Sequence, residues 1–152
     1  MPEKLFHRRF LRYIPAVNSE DFGGIARIDR VAEFARDLAT PVVILDLDTV
    51  RHHYRTLHDV FPIGKSFYAV KANPMPEVVR LLVDEGSSFD VASPHELDLV
   101  LDSGASPDRV SYGNTIKKAR DVAYAYGRGV RLFASDSLQD VENLAEHAPG
   151  SR

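Results

Sequence analysis

Lys71 is the residue of this 152-residue chain best placed to do chemistry. It closes the apolar stretch Phe67, Tyr68, Ala69, Val70, which reads as a buried strand, and an ammonium there is costly unless it is paired or neutralised. A desolvated lysine is an amine nucleophile able to form a Schiff base with a carbonyl group. The plain alternative is a side chain that snorkels to solvent at the rim. Other polar residues fall at or just after the ends of short apolar runs: Asp46 and Asp48, Asn73, Asp90 and Ser93, Asn114, and Asp136. Asp46 and Asp48 could share a strand face as a carboxylate pair for acid–base work. A strand end and a helix cap are the simpler roles.

Three other clusters read as structural or unspecified. His52, His53 and His58 do not fall on one helical face, and no H-E-x-x-H pattern accompanies them, so they do not read as metal ligands. Lys117, Lys118 and Arg120 read as a solvated helix face, with a phosphate contact as the alternative. His7, Arg8, Arg9 and Arg12 form a basic group that could dock on a partner, but nothing near them specifies one.

The elements that must position these residues follow a rhythm. An N-terminal segment, residues 1–40, holds an irregular stretch ending at Gly23-Gly24 and then a helix. In that helix Ile25, Ile28, Val31, Ala32, Ala35 and Leu38 recur at three and four, and Thr40-Pro41 ends it. Residues 41–152 then alternate strand and helix. PVVILDLD, SFYAVKAN, SSFDVAS, RVSYGN and RLFASD read as strands, and the stretches following them as helices: Thr49 to Val60, Pro76 to Gly86, Pro94 to Gly104, Ile116 to Tyr126, and Leu138 to His147. Gly86 and Gly104 close two of these helices. From Phe67 the strands start about 21 residues apart, room for a strand and one crossover helix. About five buried, evenly spaced strands with crossover helices predict an α/β fold with a parallel sheet. In such a sheet the carboxyl ends of the strands, where the polar residues gather, are where ligands bind.

Composition narrows the class. Apolar residues at 44% and charged residues at 27% suit a soluble globular chain rather than a disordered one. A formal net charge of -3 provides no basic field for nucleic acid. No apolar run reaches the roughly 18 residues a membrane span needs, and the basic N-terminus has no continuous apolar core of a secretory signal. With no cysteine there is neither a disulfide framework nor a thiolate metal site. A cytoplasmic location is the expectation. Neither a G-x-G-x-x-G nor a G-x-x-x-x-G-K-[ST] fingerprint is present.

Four words in order, FYAVKANP, FDVASPHEL, RVSYGNTIKK and GVRLFASDS, resemble the fold-type III pyridoxal-phosphate (PLP) decarboxylases. The likeness is to the ornithine/lysine decarboxylase branch, particularly its bacterial members, and runs from about Pro41 to Pro149. The resemblance implies the N-terminal portion of a PLP-binding (β/α)8 TIM barrel of the alanine racemase type. It implies that Lys71 forms the Schiff-base link to PLP and that Asp90 lies next to the cofactor. Parallel neighbouring strands would bring the ends carrying Lys71 and Asp90 together, where a carboxylate favours a charged nitrogen. For Asp90 alone, a helix cap or a structural partner is an equal reading. Ser93 fits the cap itself, with Pro94 at the first helical position and Glu96 at the third.

The neighbouring letters sort the relatives. Alanine racemases continue the lysine word with Ala-Tyr-Gly, whereas this chain has Asn73-Pro74-Met75-Pro76. Diaminopimelate decarboxylases carry paired glycines where Ser93-Pro94-His95 stand, and ornithine-type enzymes an Ala-Ser like Ala92-Ser93. The implied reaction is decarboxylation of L-ornithine or L-lysine to a diamine such as putrescine. A diaminopimelate or arginine decarboxylase of the same fold, and a non-catalytic truncated paralogue, are the alternatives.

A complete barrel of this kind needs at least about 200 residues, so the resemblance puts the phosphate site, the partner of the ring nitrogen and a C-terminal β-domain outside this sequence. Open strand edges and apolar helix faces then imply a homodimer or a complementing chain. The isolated 152-residue chain is accordingly expected not to decarboxylate L-ornithine with PLP added; release of carbon dioxide in that assay would overturn the expectation.

Overall fold

The computed structural model describes residues 43–152 and, apart from them, Arg36. The helix expected over residues 25–38, the Gly23-Gly24 turn and the basic group at residues 7–12 lie outside the described residues. The chain divides into two units, Met1–Asp59 and Val60–Arg152.

In the first unit, helix α1 (Leu47–Val60) starts two residues earlier than its periodicity predicts. The described part of the strand expected at PVVILDLD, residues 43–46, is not a strand. The reason is local. The Asp46 carboxylate accepts from the backbone amides of Asp48 at 3.0 Å and Thr49 at 3.4 Å, and from the Thr49 hydroxyl at 2.8 Å. Those bonds satisfy donors that a helix start leaves open, so Asp46 is a cap. Asp48 pairs with Arg51 one turn on, at 2.6 Å.

The second unit is built on four strands: β1 (Phe67–Ala69), β2 (Ser88–Val91), β3 (Val110–Tyr112) and β4 (Leu132–Phe133). They lie in the order β1-β2-β3-β4, every neighbouring pair parallel. About five strands were expected; the described residues hold four, and the missing one is the first. Helices α2 (Pro76–Asp84), α3 (Pro94–Asp102) and α4 (Ala119–Gly127) make the crossovers, and α5 (Leu138–His147) follows β4. Past α5, Arg152 lies along β4, its amide donating to the Arg131 carbonyl at 2.8 Å and its carbonyl accepting from the Phe133 amide at 2.9 Å.

The helix ends follow the sequence signals. Ser93 caps α3, its hydroxyl accepting from the Glu96 amide at 3.2 Å, while the Glu96 carboxylate reaches back to the Ala92 amide at 2.7 Å. This reciprocal arrangement also aims the chain as it leaves β2. Gly86 and Gly104 have φ of 89° and 102°, the left-handed region that glycine enters without steric cost. Each is followed by an amide that bonds five residues back round the helix end, Ser87 to Leu82 and Ala105 to Val100. The chain is thereby turned into the next strand. Arg109 joins the same end of the sheet, its guanidinium donating to the Ser87 and Val83 carbonyls.

The core lies between the sheet and its helices. Val78, Val79, Phe89, Val91, Leu97, Val100, Val110, Tyr112, Val122 and Ala125 are each 2% exposed or less. β2 and β3 are central strands, so their apolar residues are buried more completely than those of β1, where Phe67 is exposed. Tyr68 meets the edge of Phe89, and Tyr112 stacks on Phe133. Leu97, at the middle of this packing, has no room to be replaced by a smaller side chain without a void. Leu97→Ala is expected to cost about 2–5 kcal/mol in urea denaturation, as buried leucine truncations do; a loss below about 1 kcal/mol would show that the site collapses around the gap.

Candidate functional site

The carboxyl ends of β1, β2 and β3 carry the polar residues singled out in the sequence. The strand register sets Ala69, Asp90 and Ser111 abreast. Lys71 follows β1 on a single 3-10 turn, Val70–Ala72. In that turn Val70 takes the buried place and Lys71 is exposed. The burial expected of Lys71 from its apolar strand is therefore not present: the strand ends at Ala69, and alternation beyond it sends Val70 inward and Lys71 outward.

Tyr68 and Asn73 bracket this turn. The Tyr68 hydroxyl donates to the Asn73 carbonyl at 3.1 Å, and the Asn73 side-chain oxygen accepts from the Met75 amide at 3.1 Å. Asn73 thus spans the lysine turn and the start of α2. Burial raises the Tyr68 phenol above its ordinary value, with the bond to Asn73 acting in the other direction. Tyr68 was not singled out in the sequence; an aromatic residue three positions before a lysine reads only as strand core.

Asp90 is half-buried on the central strand. Burial raises its carboxyl above the ordinary carboxylate range, against the opposing pulls of the Lys71 charge and of a hydrogen bond with the Ser111 side chain. Asp90 is not the cap of α3, a role that Ser93 fills. Its carboxylate lies over Gly113: a β-carbon built on Gly113 would fall 1.9 Å from Asp90 Oδ1 and 2.5 Å from its Oδ2. Gly113 leaves the space that this carboxylate occupies. Nothing in the sequence marked that close approach, because Asp90 lies on β2 and Gly113 just past the end of β3.

Tyr112, beside Gly113, is buried, and that burial pushes its phenol up to about 12, with Asp121 and Glu96 adding to the shift. Its hydroxyl stays protonated across the ordinary pH range.

The loops after β3 and β4 hold a second polar group. The expectation of a solvated face at Lys117, Lys118 and Arg120 fails at its first member. Helix α4 begins at Ala119, not Ile116, so Lys117 sits in the loop. Its side chain is 0% exposed. Its ammonium donates to Asp140 Oδ2 at 2.6 Å and to the carbonyls of Ala134 at 2.6 Å, Asn114 at 3.1 Å and Thr115 at 3.4 Å. Lys118 and Arg120 are exposed as expected. A cleft of about 440 Å³ is lined by these loops, with Asp136, Ser137, Gln139 and Asn143 in its wall; neither Lys71 nor Asp90 lines it.

Among the described residues no three or more His, Asp or Glu side chains are grouped to hold a metal ion, and no helix is long and apolar enough to cross a membrane. In α1, His58 stacks on Tyr54.

Known proteins share both sequence and fold with this chain. Residues 47–152 match the model of the pyridoxal-dependent decarboxylase family, pyridoxal-binding domain. A lysine/ornithine decarboxylase of Selenomonas ruminantium is 35% identical over 121 residues, 80% of this chain and 31% of that protein. Antizyme inhibitor 2 of Xenopus laevis is 36% identical over 124 residues, 82% of this chain and 25% of that protein. A crystal structure of the Selenomonas ruminantium lysine decarboxylase superposes with a TM-score of 0.76 at 33% identity, over 84% of this chain and 33% of that one. The chain thus spans about a quarter to a third of the length of these relatives.

The raised Asp90 carboxyl has a consequence for stability. A carboxyl whose pKa rises on folding binds more protons in the folded state, so stability falls as pH climbs from the ordinary carboxylate range through the raised value. Above that value the ionised group is a standing cost. Asp90→Asn is therefore expected to be more stable than the native chain near pH 7 and equal to it near pH 3, in parallel urea titrations. A variant less stable at pH 7 would mean that the Lys71 and Ser111 interactions outweigh burial.

Proposed function

This chain belongs to the pyridoxal-dependent decarboxylase family through its pyridoxal-binding domain, and from that premise we propose that it holds pyridoxal phosphate on Lys71 as part of an enzyme that decarboxylates a basic amino acid. The observation that carries the reading is the placing of an exposed amine on the turn after β1 near the Asp90 carboxylate, whose strand neighbour Ala69 lies two residues before that amine and whose titration that amine influences.

These residues suit the group. An aldehyde-bearing cofactor needs a reachable amine, and Lys71 is exposed at the carboxyl edge of the sheet. Lys71 Nζ would hold the cofactor through its aldehyde carbon, as an amine nucleophile can. Asp90 provides a fixed negative charge that favours a proton on Lys71 Nζ and on the nitrogen that replaces it. The Tyr68–Asn73 bracket would restrain the turn that carries this amine. When bound, pyridoxal phosphate supplies an electron sink for the bond broken as carbon dioxide leaves.

The substrate we propose is L-ornithine or L-lysine, giving a diamine, in keeping with the name of the Selenomonas relative. We also place the described strands in the first part of a (β/α)8 barrel that works as a dimer or with a complementing chain. A second reading is non-catalytic, and the likeness to antizyme inhibitor 2 favours it.

One experiment separates the two. The protein is incubated with PLP, reduced with borohydride and examined by intact-mass and peptide mass spectrometry. A pyridoxyl adduct confined to Lys71, absent in Lys71→Ala, is the expected result. An unmodified chain, or adducts scattered over surface lysines, would leave the non-catalytic reading.

A further inference from the structure

Lys117 is the one lysine of the second unit whose side chain the structure encloses completely, and the proposed chemistry does not use it. Its ammonium has three protons and four oxygens around it, three of them backbone carbonyls. Those oxygens come from two separate loops. Asn114 and Thr115 follow β3, while Ala134 and Asp140 belong to the segment from the end of β4 into α5. A lysine serving only to neutralise one aspartate would not need to gather three carbonyls besides.

What this gathering fixes is visible at Gly113. On one side, the Gly113 amide donates to the Val91 carbonyl at 2.9 Å, the last rung tying it to β2. On the other, the next residue is Asn114, whose carbonyl Lys117 holds. The Ala134 residue that Lys117 also holds donates its amide to the Tyr112 carbonyl at 3.0 Å. The Gly113 backbone is thus held at β2 directly and through its neighbours, Asn114 by Lys117 and Tyr112 by Ala134, and the Asp90 carboxylate occupies the space where a β-carbon on Gly113 would stand. The far end of α5 does not enter this arrangement; its first turn does, through Asp140, whose amide is itself held by the Ser137 hydroxyl.

We propose that Lys117 is a positioning residue: by drawing the loops after β3 and β4 onto one ammonium, it fixes the Gly113–Asn114 backbone that sets the position of the Asp90 carboxylate. The consequence for cofactor binding rests on the reading of Asp90 above, whereas the pinning itself does not.

The test uses the 152-residue chain without cofactor, so failure of PLP binding would sink the cofactor reading and leave this result standing. Two variants are compared with the native chain, Lys117→Met and the double variant Lys117→Met/Asp140→Leu. Thermal stability, backbone hydrogen exchange, and the Asp90 carboxyl titration followed by carbon NMR are read on each. Removing one partner leaves a buried charge alone, whereas removing both restores an apolar interior, so the double variant is expected to regain most of the lost stability. If Lys117 positions the loops, residues 113–118 and 134–140 still exchange about tenfold faster in the double variant, because three carbonyls stay unheld. The Asp90 titration then stays displaced towards ordinary carboxylate values as its carboxylate gains water. If Lys117 serves only as packing, exchange and the Asp90 titration return to native values together with stability, and the proposal fails. Asp140→Asn changes almost no volume and covers the case in which the double variant does not fold. It is expected to speed exchange in the same residues about threefold, and native exchange in it would equally overturn the proposal.

Discussion

A carboxylate at position 90 can rest over position 113 only because β1, β2 and β3 run in the same direction with Ala69, Asp90 and Ser111 abreast. Antiparallel neighbours would send successive strand ends to opposite edges, and a slip of one residue would turn Asp90 towards the other face. Parallel neighbours require a crossover, here a helix, each time. The glycine turn after α2 and the serine cap before α3 therefore matter to the site as well as to the helices, because they decide where β2 begins and where it is left. The same constraint gathers the loops after β3 and β4 on the edge that carries Lys71.

That edge is where the unit departs from a simple apolar core. Below it, valines, leucines and aromatic rings are packed out of water. At it, a carboxyl is held partly desolvated and a complete lysine side chain is enclosed. Neither is an efficient way to stabilise a fold, since a buried ion pair is often no better than the apolar residues that could replace it. Both are ways to hold polar groups at fixed positions. The enclosed pair meets the condition that makes such burial tolerable, because the ammonium is surrounded by acceptors. Asp90 is half-buried, and burial raises its carboxyl against the opposing Lys71 charge and Ser111 hydrogen bond.

The sequence was most legible where the deciding interactions are local. Ser93 and Glu96 lie three apart, and their reciprocal bonds can be read from that spacing; Gly86 and Gly104 mark helix ends because the left-handed turn is the property of one residue. From Phe67 onward the strand–helix rhythm holds, because each short apolar run is bounded by turn residues and followed by a helix with its own cap or glycine signal. What was missed lies across the sequence. Lys117 meets Asp140, 23 residues away, and a lysine in a run with Lys118 and Arg120 offers no local hint that it alone turns inward. Asp90 on β2 and Gly113, just past β3, share space. Lys71 was placed correctly at the strand edge, yet its exposure depended on where β1 stops. At residues 43–46, apolar composition suggested a strand and the Asp46 cap prevailed, as short-range hydrogen bonds can over a weak strand preference.

Exposure of Lys71 bears on how such a site can work. A lysine sealed in an apolar strand would be held neutral by burial but closed to a cofactor or a substrate nitrogen. On a turn it is reachable, and the burden of fixing it passes to its surroundings. The Tyr68–Asn73 bracket restrains the turn from the side of β1 and α2, and Asp90 supplies a directed charge from β2. The fold thus separates access from order: the Lys71 amine is exposed on the turn after β1, the most open of the described strands, and the Asp90 carboxylate beside it comes from a buried one. That division explains why β1 can tolerate an exposed Phe67 while β2, which carries Asp90, buries Phe89 and Val91 completely.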